Sequence, residues 1–233
     1  MEAGSRIRRR RRVGGWLGFG LGAAVVVAVV WPGSRPLQKP GPMNVGHEGL
    51  ECGSCHRPAP GTTRQQLQAN TRTFLGLRTS YVDFGMRAVE NADCRSCHDR
   101  PDDRHPVYRF LEPRFAEARA AIEPQACTSC HAEHTGRRAT VESTACRHCH
   151  ADIELQRDPI STPHAELART EAWDSCLGCH DFHGNHAMTV PTALSDAASP
   201  AAIERYLAGG ESPYRGEIRH PALHDNGTAK EWP

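Results

Sequence analysis

The sequence predicts a mostly α, irregular domain with little regular secondary structure, organised around bound groups rather than stacked layers. One long apolar helix precedes it. Three observations lead there. Apolar residues are 38% of the 233, and the run 13–31 and the ten cysteines use so many that roughly 30% of the remainder is apolar, thin for a self-supporting core. All ten cysteines fall in one repeated pattern. No sheet is visible in the remaining sequence.

Residues 13–31, VGGWLGFGLGAAVVVAVVW, carry no charged or strongly polar side chain. As a helix they would span roughly 28 Å, close to the hydrocarbon thickness of a bilayer. Trp16 and Trp31 lie near the ends, and Arg6 and Arg8 to Arg12 precede the run. The reading is a single-pass transmembrane helix in the inner membrane, N-terminus cytoplasmic and the remainder periplasmic or otherwise extracytoplasmic. A cleaved signal peptide is the competing reading, with a shorter apolar stretch and a small-residue cleavage site. Gly14, Gly18 and Gly22 form a small-xxx-small stripe, read as ordinary glycine tolerance or as a face for a second membrane helix.

The pattern Cys-x-x-Cys-His occurs five times: Cys52/Cys55/His56, Cys94/Cys97/His98, Cys127/Cys130/His131, Cys146/Cys149/His150 and Cys176/Cys179/His180. This is the attachment sequence of c-type haem. Two thiols three positions apart reach the two vinyl groups, and the following histidine supplies the proximal iron ligand. Five c-type haems are therefore the expected cofactors. A disulfide scaffold does not require a histidine after every pair, five pairs is an awkward number for Cys₄ zinc sites, and a thioredoxin-type motif would occur once.

Nine further histidines are present. A six-coordinate haem passes electrons, whereas an open iron can transform a small molecule. His134 and His183 each stand three residues after a motif histidine. Three helical residues advance only about 5 Å, too little to reach the far face of the same porphyrin. Each should therefore serve a neighbouring haem. His47, His164 and His105 complete the preferred distal set, with His186 as an alternative to His183. Met86 and Met188 are less favoured axial candidates. His148 is read as pointing to solvent, and His220 and His224 as surface residues in a polar tail.

The organisation expected is a basic tail (1–12), the membrane helix (13–31), a Pro/Gly-rich linker (32–46), a pentahaem domain (47–186), and a short helix with a loosely ordered tail (187–233). The insert between the first two motifs carries the helical stretch RQQLQANTRTFLGL and an extended Tyr81-Val82-Asp83-Phe84. It is read as a cover over haem faces, with partner docking the less favoured reading. Helices are also expected over 113–122, over 164–173 with Thr162-Pro163 as N-cap and N1, and over 201–207 with Ser199-Pro200 in those roles. Gly209-Gly210 ends the last.

The run Cys127-Thr-Ser-Cys-His-Ala-Glu-His134-Thr-Gly, the run Cys176-Leu-Gly-Cys-His-Asp-Phe-His183-Gly and the few residues per haem resemble the class III (c3/c7-like) multihaem cytochromes c. The resemblance covers about residues 47–186. It implies a haem-cored fold with closely stacked bis-histidine haems at low potential, serving electron transfer. One N-terminal helix followed by a small multihaem domain is also similar in plan to the NapC/NirT-type quinol dehydrogenases.

Outside the arginine block the chain holds 22 basic and 26 acidic residues, which argues against a nucleic-acid partner. The function expected is a membrane-anchored periplasmic electron carrier between a membrane-bound donor and a periplasmic or outer-membrane redox protein with a basic docking face. It is not an enzyme on this reading. The alternative is a quinol dehydrogenase, with Lys39 and Glu48 as the nearest proton acceptors. A small-molecule reductase is disfavoured because no Cys-x-x-Cys-Lys motif exists.

Overall fold

The computed structural model describes residues 2–30, 41–214 and 216–223. The chain divides into two compact units, Met1–Pro42 and Met43–Pro233. The first unit holds helix α1, Glu2–Val30. Among the described residues no helix is long and apolar enough to cross a membrane. This corrects the expected transmembrane helix over 13–31, and with it the single-pass inner-membrane location. α1 carries Glu2 and six arginines in its first eleven residues, and five glycines dilute the run that follows. Trp31 and most of the linker, including Lys39, lie outside the described residues.

The second unit is mostly helical, in short pieces: α2 (Cys52–Cys55), α3 (Thr63–Phe74), α4 (Asn91–Arg95), α5 (Ala116–Ile122), α6 (Cys127–Cys130), α7 (Arg147–His150), α8 (His164–Arg169), α9 (Cys176–Cys179) and α10 (Pro200–Leu207). Turns of 3₁₀ helix join several of them. Extended pairing among the described residues is confined to two isolated bridges, Pro58 with Met86 and His186 with Ile218. The mostly α, irregular part of the predicted fold class stands. The membrane helix in it does not.

Local chemistry explains the longer helices. Thr62 and Gln65 form a reciprocal capping box at the start of α3. Ser199 Oγ accepts from the Ala202 N–H at 3.3 Å, Pro200 occupies the first turn of α10, and Gly209 turns the chain away at φ +108°. Ser199→Ala is expected to lower stability by about 1 kcal/mol, read as a lower denaturant midpoint with an unchanged slope.

α8 is shorter than its expected 164–173. Pro163 is its N-cap residue, and the carboxylate of Asp158 accepts the His164 N–H at 2.6 Å in place of Thr162. Glu171 adopts φ +55°, which ends the helix before Trp173.

Side-chain burial is sparse. No large side chain among the described residues is fully buried, and the one hydrophobic cluster joins Ala139, Ile203, Leu207 and Tyr214. Leu177, Met188 and Ala198 pack against it. α10 thus docks on α9, and Tyr214, from the expected loose tail, donates its hydroxyl to the Leu177 carbonyl at 2.8 Å.

Candidate functional site

The Cys-x-x-Cys-His motifs fold as short helical turns. The N–H groups of His56, His98, His131 and His180 donate to the carbonyls of Cys52, Cys94, Cys127 and Cys176 at 2.8–3.0 Å. Residues three apart share one face of such a turn, so both thiols project together with the histidine beside them. In the second motif α4 ends at Arg95, and Ser96 and Cys97 continue it as a turn closed by the same His98-to-Cys94 bond. The Cys97 N–H donates to the Cys94 carbonyl at 3.2 Å, and the Cys97 carbonyl accepts the Leu223 N–H at 2.8 Å. The Cys97 sulfur lies 3.9 Å from the Ser96 hydroxyl.

All ten cysteines are free thiols. Cys94 and Cys127 hydrogen-bond across two motifs, as do Cys146 and Cys176. Sharing that proton pushes Cys94 and Cys176 up and holds Cys127 and Cys146 down at about 7.

Every motif histidine faces one histidine from outside the motifs. The ring centroids of His56 and His134 are 6.3 Å apart, those of His98 and His47 5.9 Å, and those of His131 and His183 6.1 Å. His150 and His105 are 6.2 Å apart, and His180 and His164 6.1 Å. The ring planes range from 21° in the first pair to 86° in the His150–His105 pair. His134 and His183 face neither of the motif histidines three residues before them. Each reaches across to another motif.

Hydrogen bonds orient these rings. His47 Nδ1 donates to Glu133 at 2.6 Å, His183 Nδ1 to Asp103 at 3.0 Å, and His164 Nδ1 to Asp158 at 2.9 Å. His105 Nδ1 donates to the Phe182 carbonyl at 2.6 Å, and His131 Nδ1 to the Arg138 carbonyl at 2.9 Å. Carbonyl and carboxylate oxygens only accept, so Nδ1 carries the hydrogen and Nε2 keeps its lone pair. His134 is different: its Nδ1 is buried without a partner, and its backbone sits at φ +63°. Buried Asn44 holds that turn, donating to the Ala132 carbonyl at 2.9 Å and accepting from the Thr135 N–H at 3.1 Å.

Electrostatics favour the neutral, ligating form of four of these imidazoles. Burial, then neighbouring cations, holds His98 down at about 4; burial likewise lowers His105, His131 and His180. Burial opposes ionisation of Asp103, Glu133 and Asp158, but their histidine and backbone donors prevail and hold all three below the usual carboxylate range. These carboxylates are functional residues that sequence reasoning missed. Asp103 and Glu133 lie beside predicted ligands in sequence yet serve histidines some 80 positions away.

The other candidates are placed elsewhere. His186 has both nitrogens engaged, Nδ1 with Asp181 at 2.9 Å and Nε2 with Ser212 at 3.5 Å, and it packs on Tyr214. His220 pairs with Asp102. Met188 packs on the hydrophobic cluster, and Met86 is exposed. Glu48 accepts the Gly46 N–H in a local turn. Among the described residues His148 forms no such ring pair, and His224 lies outside them.

Among the described residues, no three or more His, Cys, Asp or Glu side chains gather where they could hold a metal ion between them. This corrects several expectations. The haem-cored fold class, five c-type haems as resident cofactors, membership of the class III cytochromes, and the membrane-anchored carrier and quinol-dehydrogenase functions are not shown. The physical reason is coordination number. Side chains meet here in opposed pairs, two nitrogens per place, whereas a metal held by protein alone takes about three or four ligands. The ten cysteines of the motifs form no disulfide with one another. No protein-family model, no curated protein and no solved structure matches the chain.

Proposed function

We propose that residues 43–223 form a binding domain with five stations, each for one planar ligand that brings its own metal and in-plane donors. The observation that carries this reading is the one-to-one facing of five motif histidines with five others at 5.9–6.3 Å. Two metal–nitrogen bonds of about 2 Å, plus the short distance from each nitrogen to its ring centre, separate trans imidazole centroids by about 6 Å. A site needing only two protein ligands also fits the lack of larger ligand clusters.

Haem is the group that Cys-x-x-Cys-His attaches, and these residues fit it. Cys52/Cys55, Cys94/Cys97, Cys127/Cys130, Cys146/Cys149 and Cys176/Cys179 would form the thioether links. His56, His98, His131, His150 and His180 would lie on one face, with His134, His47, His183, His105 and His164 respectively on the other. Such a group supplies reversible one-electron chemistry when bound. The chain's own part is to orient each imidazole through Nδ1, as the carboxylates and carbonyls above do. Imidazole on both faces leaves no coordination position for a substrate, so we read the domain as non-catalytic.

The test is the intact mass of the purified protein with its pyridine haemochrome spectrum. About five covalently attached groups per chain are expected. A mass equal to the bare polypeptide would sink the proposal.

The partner we propose is a redox protein with a basic docking face, since residues 43–223 carry 19 basic against 24 acidic residues. Electron exchange with such a partner should slow as salt screens the encounter. A rate indifferent to ionic strength in stopped-flow would remove that partner.

A further inference from the structure

The insert between the first two motifs has a shape and a charge that the five stations do not use. Its base is clamped by buried Gln66, whose amide donates to the Ala59 carbonyl at 3.1 Å and whose oxygen accepts the Gly85 N–H at 2.9 Å. From there the rest of α3, to Phe74, advances about 12 Å. The chain turns at Gly76, φ +72°, and returns along the helix. Asn70 and Val82 exchange two hydrogen bonds at 2.8 and 3.0 Å, and Thr73 donates to the Ser80 carbonyl at 2.7 Å. These contacts close the insert on itself as a finger.

The tip is apolar and open to solvent. Phe74 is 78% exposed, Leu75 61%, Leu77 68% and Tyr81 66%. Four large apolar side chains exposed within residues 74–81 mark an interaction surface rather than ordinary surface noise. From its Ala59–Gly85 base outward the finger also carries Arg64, Arg72 and Arg78 against one acidic residue, Asp83. The rest of 43–223 holds 16 basic against 23 acidic residues. Positive charge is thus segregated onto the apolar finger of an otherwise acidic unit. Apolar and aromatic side chains flanked by arginine suit the boundary between acyl chains and anionic headgroups. Arginine stems lie along apolar surface while their charge stays with phosphate.

We propose that this finger is a peripheral membrane-docking element, with the tip residues Phe74, Leu75, Leu77 and Tyr81 entering the interface of an anionic bilayer. The inference is independent of what the five stations hold. Hydrogen exchange read by mass spectrometry on the full chain tests it, because it reports the finger separately from α1. With phosphatidylcholine vesicles containing phosphatidylglycerol, amide exchange in peptides covering 72–82 is expected to slow several-fold. Pure phosphatidylcholine should have little effect. The pair Phe74→Ser and Leu77→Ser should abolish the protection, and the pair Arg72→Gln and Arg78→Gln should weaken it. Unchanged exchange around Gln66 without vesicles would establish that the variants keep their fold. Unaltered tip exchange on anionic vesicles would overturn the proposal, including where α1 alone is protected or where the tip serves a protein. Equal protection on both vesicle types, indifferent to the arginine pair, would overturn the anionic surface.

Discussion

His183→Ala is expected to open one station of the five and leave the other four closed, while His186→Ala opens none. The two histidines are three residues apart in Asp181-Phe-His-Gly-Asn-His, and spacing alone does not separate them. The structure does: His183 faces His131 at 6.1 Å, while His186 is turned away with Asp181 on one nitrogen and Ser212 on the other. In protein carrying its tethered groups, His183→Ala should bind one equivalent of added imidazole or cyanide per chain, seen as a saturable spectral change. His186→Ala should bind none beyond wild type. It should instead lose about 1 kcal/mol of stability, because it removes a buried hydrogen bond to Asp181. Equal behaviour of the two variants in ligand binding would reject the opposed-pair geometry at this station.

Gly178→Ala is expected to destabilise the domain by about 1–3 kcal/mol, although it lies inside a Cys-x-x-Cys-His motif and leaves every candidate ligand in place. A Cβ at position 178 would strike the carbonyl oxygen of Ala198. That contact is with backbone, and the Ala198 N–H already donates to the Gly178 carbonyl at 3.0 Å. The chain entering α10 would have to move, and the packing of Ile203, Leu207 and Tyr214 would move with it. Gly53, in the first motif, has nothing within 4 Å of the same added atom. Gly53→Ala should therefore leave the denaturant midpoint within a few tenths of a kcal/mol of wild type, helped by alanine's better helix propensity. Comparable losses at both positions would mean that the clash at 178 is relieved by local motion.

The elements legible in the sequence are those that local chemistry decides. The motif turns, the capping box at Thr62 and the Ser199-Pro200 start of α10 each depend on residues a few positions apart. One motif position also has a distant tie: the Cys97 carbonyl accepts the N–H of Leu223, 126 positions on. The extent of α8 is misjudged from sequence because its cap comes from Asp158, six residues before His164, rather than from the adjacent Thr162. Tyr214 gives no local signal, since its burial depends on Leu177 and His180 carbonyls 37 and 34 positions away. The preferred set of opposing histidines can be ranked from spacing. Their pairing cannot, because His47 is held by Glu133 and His183 by Asp103 across the fold.

The pairing also imposes a timetable on a chain synthesised from its N-terminus. His98, His150 and His180 face His47, His105 and His164, all of which precede them in the sequence. Those three stations have both imidazoles as soon as their own motif has emerged. His56 must wait for His134, and His131 for His183. The first motif to appear is therefore half-built while two later motifs are synthesised, and its lone imidazole is exposed to wrong partners throughout. A pause or truncation between residues 98 and 134 would leave the second station complete and the first one orphaned.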